Sequence, residues 1–225
     1  FRNIFFLRRI IRCKNFSKNL HLEKDEKLIC KYLNKKGYAK LPSSFFSVNE
    51  IKELVRYKDY LLKIKAKEIE KILNYKNIRA INKEFFYESD HILCKLMTNS
   101  KIIKIVSKYL GMHPHFWRAD IVVSRNIISS LKGSQLWHTD QEDNRVVKLF
   151  IYLSDVLDDE YGPFILSEKN EKNTKLFRKK LKAGHWHDKQ LEKMNINLKP
   201  ISILGSFGTS FIVDTALTPH KGSIK

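Results

Sequence analysis

The stretch Trp137-His138-Thr139-Asp140 stands just before an apolar run, Val146 to Leu153, and carries the fold prediction. In extended backbone the side chains at positions i and i+2 point to the same face of a strand. His138 and Asp140 can therefore grip one metal ion while Thr139 points away. This stretch predicts a strand that delivers two metal ligands at one end.

A second isolated histidine, His220, follows another apolar run, Phe211 to Val213. A closed β structure between His138 and His220 would bring the two strand ends together. Two histidines and one carboxylate form the set that holds non-haem Fe(II) and leaves positions open for oxygen chemistry. Each element alone is unspecific, because a His-x-Asp triplet arises often by chance and a lone histidine beside a strand is commonly a rim residue.

Four ordered blocks, over about residues 28 to 222, give these elements a wider context. They resemble four blocks of phytanoyl-CoA dioxygenase-like proteins. In that family the blocks are an opening segment, a metal motif, a following strand with a Gly-Pro turn, and a distal glycine turn with a strand and a histidine. In this chain the blocks are Lys36 to Pro42 with Phe45-Phe46-Ser47 and Glu50-Ile51; Ser134 to Asp140; Val147 to Val156 with Gly162-Pro163-Phe164; and Gly205, Gly208, Asp214 and His220.

The resemblance implies an α+β domain whose core is a double-stranded β-helix (jelly roll), with N-terminal helices packed against it. It divides the chain into a basic N-terminal segment, residues 1–27, and an oxygenase domain, residues 28–225. It also implies His138, Asp140 and His220 as metal ligands, Fe(II) as the metal and 2-oxoglutarate as co-substrate. The implied activity is hydroxylation of an unactivated C–H bond of a small organic or lipid-like substrate by O2, with succinate and CO2 as co-products.

The chain departs from the family pattern in two places. Ser167-Glu168-Lys169-Asn170 stands where the family usually has Gly-Ser-His. The family's arginine that pairs with the distal carboxylate of 2-oxoglutarate follows the distal histidine at a point beyond Lys225, where this chain ends. We therefore expect a domain that is truncated at its C-terminus.

Three further residues are candidates for binding the co-substrate: Gln135, Thr139 and Lys148. Gln135 and Thr139 lie within or beside the metal motif. Lys148, on the following strand, can meet a carboxylate as a point charge, although it lacks the planar fork of arginine. Lys221 is too near His220 to be an obvious substitute. Exposed positions at a strand and a strand end are the simpler interpretations of Lys148 and Gln135.

The composition predicts a single globular domain. The chain has 225 residues, 43% of them apolar, and no apolar run near the length of a membrane-spanning helix. Its three cysteines are widely scattered and predict neither a disulfide framework nor a zinc site, so we expect a reducing cytoplasm. The net charge of +19 would attract phosphates. The excess lysine is spread along the whole chain without a nucleic-acid-binding motif, and we expect no specific nucleic-acid partner.

The stretch Phe1 to Leu22 is basic, amphipathic and free of acidic residues. This pattern is typical of a transit peptide or a membrane-surface helix, and also of a basic helix that packs on the domain. Farther along, Ser47 and Glu50 form a capping box that predicts a helix from Val48. A second helix, Lys101 to Leu110, is predicted between Ser100 as N-cap and Gly111 as terminator.

Short segments rich in β-branched and aromatic residues predict strands after Gly111. They are Phe116 to Ser124, Val146 to Ser154, Phe164 to Ser167, Ile201 to Leu204 and Ser210 to Val213. The charged stretch Glu171 to Ala183 predicts a helical insertion that covers the entrance of the site.

Several alternatives stay open. The chain could be a catalytically inactive jelly-roll binding module with a relic metal site, or, less simply, a zinc-dependent hydrolase that uses the same three ligands. The pairs His113-Pro114-His115 and His185-Trp186-His187 could chelate zinc or copper, but neither has a carboxylate or cysteine at ligand spacing, which favours surface or substrate-rim roles. The sequence leaves the substrate and the oligomeric state open.

Overall fold

The computed structural model of the chain describes residues 15–73, 78–81, 90–124, 131–179, 181 and 184–222. Residues 1–14, which make up about half of the predicted basic segment and include Cys13, lie outside the described residues. So do residues 180, 182 and 183 of the predicted insertion. Within the described part, helices dominate the first half and strands the second, in the predicted order.

The helices are α1 (Lys24–Lys36), α2 (Val48–Ile64), α3 (Ala66–Leu73), α4 (Ile92–Met97), α5 (Ser100–Leu110), α6 (Glu171–Lys179) and α7 (Asp188–Lys193). The first five precede the strand Val122–Ser124, with two short strands among them, and they pack against one face of the sheet that contains Val147–Ile151. Helices α6 and α7 lie between the strands Phe164–Ser167 and Pro200–Ile203; α6 falls within the predicted insertion, and α7 follows it.

Local signals fix most helix ends. Helix α2 begins as predicted, because the Ser47 side chain accepts from the Glu50 backbone while the Glu50 carboxylate accepts from the Ser47 backbone. The N-cap of α5 is Asn99 rather than Ser100, since the Asn99 side chain accepts from the amides of residues 101 and 102. An amide oxygen at that position caps as well as a hydroxyl does. Gly111 ends α5 in the left-handed conformation, at φ 72°, as predicted.

The strands are β1 (Tyr38–Lys40), β2 (Ile78–Ala80), β3 (Val122–Ser124), β4 (Val147–Ile151), β5 (Phe164–Ser167), β6 (Pro200–Ile203), β7 (Ser210–Asp214) and β8 (His220–Lys221). They form two three-stranded antiparallel sheets, with orders β1-β7-β4 and β6-β5-β8, and a separate β2-β3 pair. Four of the predicted strands thus appear close to their predicted bounds, as β4, β5, β6 and β7.

The predicted strand Phe116 to Ser124 is wrong over most of its length. Only β3 is a strand, and Trp117 is 66% exposed in an irregular stretch that precedes it. Aromatic and β-branched side chains favour a pleated surface only where a partner strand and a neighbouring layer bury them. The short β2 supplies a partner for β3 alone.

Alternation along β4 connects two hydrophobic cores. Val147, Leu149 and Ile151 pack against the helical core, whereas Phe150 points to the opposite face. There it joins Phe164 of β5 and other side chains of both three-stranded sheets in one aromatic cluster. The two sheets therefore share a core, with the helices covering the outer face of the first sheet. No helix among the described residues combines the length and the hydrophobicity needed to cross a bilayer.

Candidate metal centre

His138, Asp140 and His220 come together at one end of the two sheets. Nε2 of His138 lies 3.9 Å from Oδ1 of Asp140, and Nε2 of His220 lies 4.0 Å from the same oxygen. One ligand atom from each residue falls within 4.8 Å of the other two. The side chains that the sequence proposed as ligands thus converge on one point.

Backbone pairing produces this convergence. His138 and His220 form an isolated antiparallel bridge, in which each amide donates to the carbonyl of the other at 3.0 and 2.9 Å. Two residues farther on, the Asp140 amide donates to the Thr215 carbonyl at 3.0 Å. The predicted strand at this motif is wrong, since Trp137 and His138 make isolated bridges and Asp140 lies outside any strand. These backbone bonds nevertheless hold the i and i+2 positions against the strand end and turn that lead to His220.

The histidines have a fixed tautomer. Nδ1 of His138 lies 2.8 Å from the Leu136 carbonyl oxygen, and Nδ1 of His220 lies 3.0 Å from the Thr218 carbonyl oxygen. Because a carbonyl only accepts, each Nδ1 carries the proton and donates it, which leaves the Nε2 lone pair free. A backbone acceptor of this kind is the usual partner of a metal-binding histidine.

The surroundings keep the imidazoles neutral and the carboxylate ionised. Burial lowers the pKa of His138, and burial together with the neighbouring His138 lowers the pKa of His220. Although burial opposes it, His220 and the Lys148 ammonium lower the pKa of Asp140. Neutral nitrogen and anionic oxygen are the protonation states that metal binding requires.

Lys148 enters the site from β4, on the strand face that also carries Phe150. Its Nζ lies 2.6 Å from Oδ2 of Asp140, while Oδ1 of the same carboxylate faces the two histidines. The two carboxylate oxygens therefore have different neighbours. Lys148 lies beside the predicted ligands, and its role in binding co-substrate stays a prediction.

The other two candidates lie near the ligands in different ways. Gln135 is 1% exposed and belongs to a single 3-10 turn, Gly133–Gln135, so the expectation of an exposed strand-end residue is wrong. Thr139, which lies between His138 and Asp140 in the sequence, is buried. Its hydroxyl accepts from the Gln141 side chain at 2.9 Å. Roles of Gln135 and Thr139 in binding co-substrate stay predictions.

The polar connection that contains His185 also reaches the site. The His185 ring centroid lies 4.9 Å from that of His138, with the planes tilted by 32°. Trp186 forms an antiparallel bridge with Trp137, the residue before His138. The sequence spacing offers no reason to place His185 and His187, rather than His113 and His115, near the predicted ligands. The backbone bridge between Trp186 and Trp137 brings His185 to the site. Asp188, directly after this connection, was not predicted as a site residue.

No protein-family model matches the sequence, and no curated protein matches it either. Among solved structures, the chain is similar to the crystal structure of AviO1 from Streptomyces viridochromogenes Tue57. The two are 13% identical over 90% of each chain, with a TM-score of 0.46. At that identity and score the likeness assigns neither a family nor a fold.

The donor set fits a divalent transition metal. Two imidazole nitrogens and one carboxylate oxygen are the donor types of two-histidine, one-carboxylate metal sites, and among the described residues no further histidine, cysteine or carboxylate belongs to the group. Metal–ligand bonds of about 2.0–2.2 Å at right angles place neighbouring ligand atoms about 2.8–3.1 Å apart. The distances of 3.9 and 4.0 Å from Asp140 Oδ1 to the two histidine nitrogens are wider by about 1 Å, which side-chain rotation can close.

Proposed function

We propose that this chain is an Fe(II)- and 2-oxoglutarate-dependent dioxygenase, of the phytanoyl-CoA dioxygenase-like type, that hydroxylates an unactivated C–H bond of a small organic or lipid-like substrate. The observation that carries the proposal is the convergence of His138 Nε2, His220 Nε2 and Asp140 Oδ1, with both histidine tautomers set by backbone carbonyls. A reducing cytoplasm is the proposed setting, in keeping with the free Cys30 and Cys94.

The strand pairing supports a jelly-roll core as part of this proposal. His138 pairs with His220 at the start of β8, β8 pairs with β5, and β5 pairs with β6. The β4-β7 pair lies across the aromatic cluster from these strands. Two antiparallel sheets that enclose a common core are the arrangement of a jelly roll, in which a ligand site can form at one end between the sheets.

The residues of the chain prepare the site. His138 and His220 offer Nε2, and Asp140 offers Oδ1 while its Oδ2 stays with Lys148. Fe(II) held there would supply the oxidative chemistry, with 2-oxoglutarate and O2 as its reactants. Phe164 stacks on the His220 ring, with centroids 5.4 Å apart, and closes the inner side of the site against water. The opposite side, where His185 is exposed, is left for the reactants.

Lys148 is the proposed partner of a co-substrate carboxylate. Its ammonium lies on the inner face of β4 and is already within ion-pair distance of Asp140. A carboxylate that arrives beside Asp140 would meet this ammonium without a change in the β4 backbone. A lysine binds it as a point charge, so we expect weaker orientation than an arginine fork would give.

Uncoupled turnover tests the proposal without knowledge of the substrate. Purified protein with Fe(II), O2, 2-oxoglutarate and ascorbate should convert 2-oxoglutarate slowly to succinate and CO2, with ascorbate as the reductant that takes the place of the substrate. This conversion should stop in His220→Ala. Lys104→Gln, an uncharged replacement on the distant helix α5, is the matched control and should keep the wild-type rate. An Fe(II)-loaded protein that forms no succinate would contradict the oxygenase proposal.

One observation favours a second candidate, the inactive binding module. The Lys148 ammonium, 2.6 Å from Asp140, already neutralises the only carboxylate of the ligand group. A site that has lost its metal would be stabilised by such an ion pair. In that case the folded protein would bind neither Fe(II) nor Co(II) near neutral pH, whereas the oxygenase proposal requires both to bind.

A further inference from the structure

The segment between β5 and β6 is built onto the metal centre. Its helices α6 and α7 contribute Phe177 and Leu191 to a buried cluster that also contains Trp137. The backbones of Trp137 and Trp186 exchange two hydrogen bonds of 3.0 Å. A Cβ at Gly184 would overlap the Trp186 indole, so a glycine is required where the segment approaches Trp137.

Asp188, the first residue of α7, connects this segment to the neighbours of both histidines. Its Oδ1 accepts from Nε1 of Trp137 at 2.6 Å, and its Oδ2 accepts from Nζ of Lys221 at 3.0 Å. Trp137 directly precedes His138, and Lys221 directly follows His220. One carboxylate therefore holds the two residues that flank the two predicted metal ligands.

The buried ammonium of Lys221 requires its contact with the Asp188 carboxylate. Lys221 is only 7% exposed, and a buried ammonium requires an anionic partner. Its Nζ also lies 4.8 Å from the centroid of the Trp137 ring, a cation–π arrangement. Without Asp188 the ammonium would have to turn toward water, and the turn would move the backbone that carries His220.

Apolar contacts, rather than Asp188, hold the segment with α6 and α7 against the rest of the protein. Phe177, Leu191 and Ile196 are buried against Trp137 independently of the carboxylate. The segment therefore has its own reason to stay docked when Asp188 is replaced. Asp188 itself has a side chain that is 59% exposed, so its replacement leaves no cavity.

We propose that Asp188 is a positioning residue of the metal centre, which sets the separation of His138 and His220 through Trp137 and Lys221. The inference rests on the proposed function, because it requires a metal at the three predicted ligands. It adds that the segment carrying α6 and α7 contributes to metal affinity without supplying a ligand. Partners of this kind, which orient ligands, commonly change metal affinity by about 10- to 100-fold when they are removed.

Co(II) titration of the full chain, followed by visible absorption, tests the inference. Asp188→Asn should bind Co(II) about 10-fold more weakly or worse and shift the ligand-field bands, while the far-UV spectrum of the metal-free protein stays unchanged. Glu192→Gln, which removes another exposed carboxylate of α7, is the matched control and should titrate like the wild type. Trp137→Phe keeps an aromatic side chain but replaces the indole and its N–H donor by a smaller phenyl ring, and should weaken Co(II) binding by a smaller factor.

A double variant separates positioning from general destabilisation. If Asp188 acts through Lys221, Asp188→Asn with Lys221→Met should bind Co(II) about as well as Lys221→Met alone, because the two substitutions remove the same contact. An Asp188→Asn protein that loses thermal stability but keeps wild-type Co(II) affinity and bands would overturn the inference. Wild-type protein that binds no Co(II) would instead overturn the proposed metal centre, and the role of Asp188 with it.

Discussion

Asp140 and Asp214 are two carboxylates at the same end of the molecule, and their environments differ in one respect that decides their use. Asp214 is fully buried at the end of β7, and its Oδ2 accepts from Arg145 Nε at 2.6 Å and from the Tyr109 hydroxyl at 2.8 Å. Asp140 pairs with Lys148 through Oδ2 but turns Oδ1 toward two imidazoles. The first arrangement ties elements together, and the second leaves an oxygen available for a ligand.

The partners of Asp214 belong to distant parts of the chain. Tyr109 lies on α5 and Arg145 lies two residues before β4, so their contacts with Asp214 join the helical layer to the first sheet. The Arg145 guanidinium also lies over the Tyr109 ring, 4.4 Å from its centroid. Burial and the nearby Asp214 raise the pKa of Tyr109, which therefore stays a hydrogen-bond donor. The hydrogen bonds from Tyr109 and Arg145 to Oδ2 predict a structural role for Asp214, whose Oδ1 is buried without a hydrogen-bond partner among the described residues.

The largest expected effect is the loss of metal binding in Asp140→Asn. The substitution replaces the only anionic donor of the ligand group by a neutral amide, so Fe(II) and Co(II) should no longer bind measurably. The stability of the metal-free protein should change by less than about 1 kcal/mol, since the Lys148 side chain is 36% exposed and can be solvated. Isothermal titration and urea unfolding measure the two effects separately. Strong metal binding by this variant would remove the distinction between the two carboxylates.

The converse result is expected for Asp214→Asn. The Asp214 carboxylate is fully buried and accepts from both Arg145 and Tyr109, so the loss of its charge should lower the free energy of unfolding by about 3 kcal/mol. Urea unfolding of the metal-free protein gives this value. Metal affinity should fall much less than in Asp140→Asn. It is measured without denaturant, at a temperature at which the variant is folded. A stable Asp214→Asn protein that cannot bind metal would reverse the assignment of roles.

The pH dependence of stability should include a contribution from the histidines. In the unfolded chain a histidine takes up a proton near pH 6.5, whereas the lowered pKa values of His138 and His220 make both take up a proton less readily in the folded protein. Below about pH 6.5 the unfolded state therefore binds more protons, and the free energy of unfolding falls as the pH falls, by at most about 1.4 kcal/mol per pH unit for each histidine. Urea unfolding between pH 7.5 and 5.5 measures the slope, which should be smaller in His220→Gln.

The smallest expected effect concerns Lys148. In Lys148→Met the affinity of the Fe(II)-loaded protein for 2-oxoglutarate should fall about 10-fold, the effect of losing one charge-assisted hydrogen bond. Fe(II) affinity should not fall, because the lysine donates no ligand and places a positive charge beside the site. Lys148→Arg, which keeps the charge, should retain most of the affinity. Equal 2-oxoglutarate affinity in all three proteins would assign Lys148 to the ion pair with Asp140 alone.

Features that depend on neighbouring residues could be predicted from the sequence. The i and i+2 spacing of His138 and Asp140, the apolar runs that follow this motif, and the capping box at Ser47 all depend on neighbouring residues. The structure has the helix from Val48 and the strands β4 and β7, and it brings His138 and Asp140 together with His220, whose binding of a metal stays a prediction. The short strand β1 was missed, because three residues carry no alternation and Tyr38–Lys40 is a strand only by pairing with β7.

Contacts between residues that are far apart in the chain could not be predicted from the sequence. Asp214, Arg145 and Tyr109 meet across separations of 69 and 105 residues, and Asp188 meets Trp137 and Lys221 across 51 and 33. No local pattern distinguishes these residues from exposed ones. The prediction of a strand from Phe116 failed for the related reason that intrinsic preference supplies no partner strand.

The central claim is that His138, Asp140 and His220 hold Fe(II) together with 2-oxoglutarate. The most direct test is an anaerobic optical titration of the purified protein with Fe(II) and then with 2-oxoglutarate. The account predicts a visible charge-transfer absorption that appears only when both are present, and that is absent in Asp140→Ala at equal folded content. Fe(II) binding without this absorption, or the same absorption in Asp140→Ala, would contradict it.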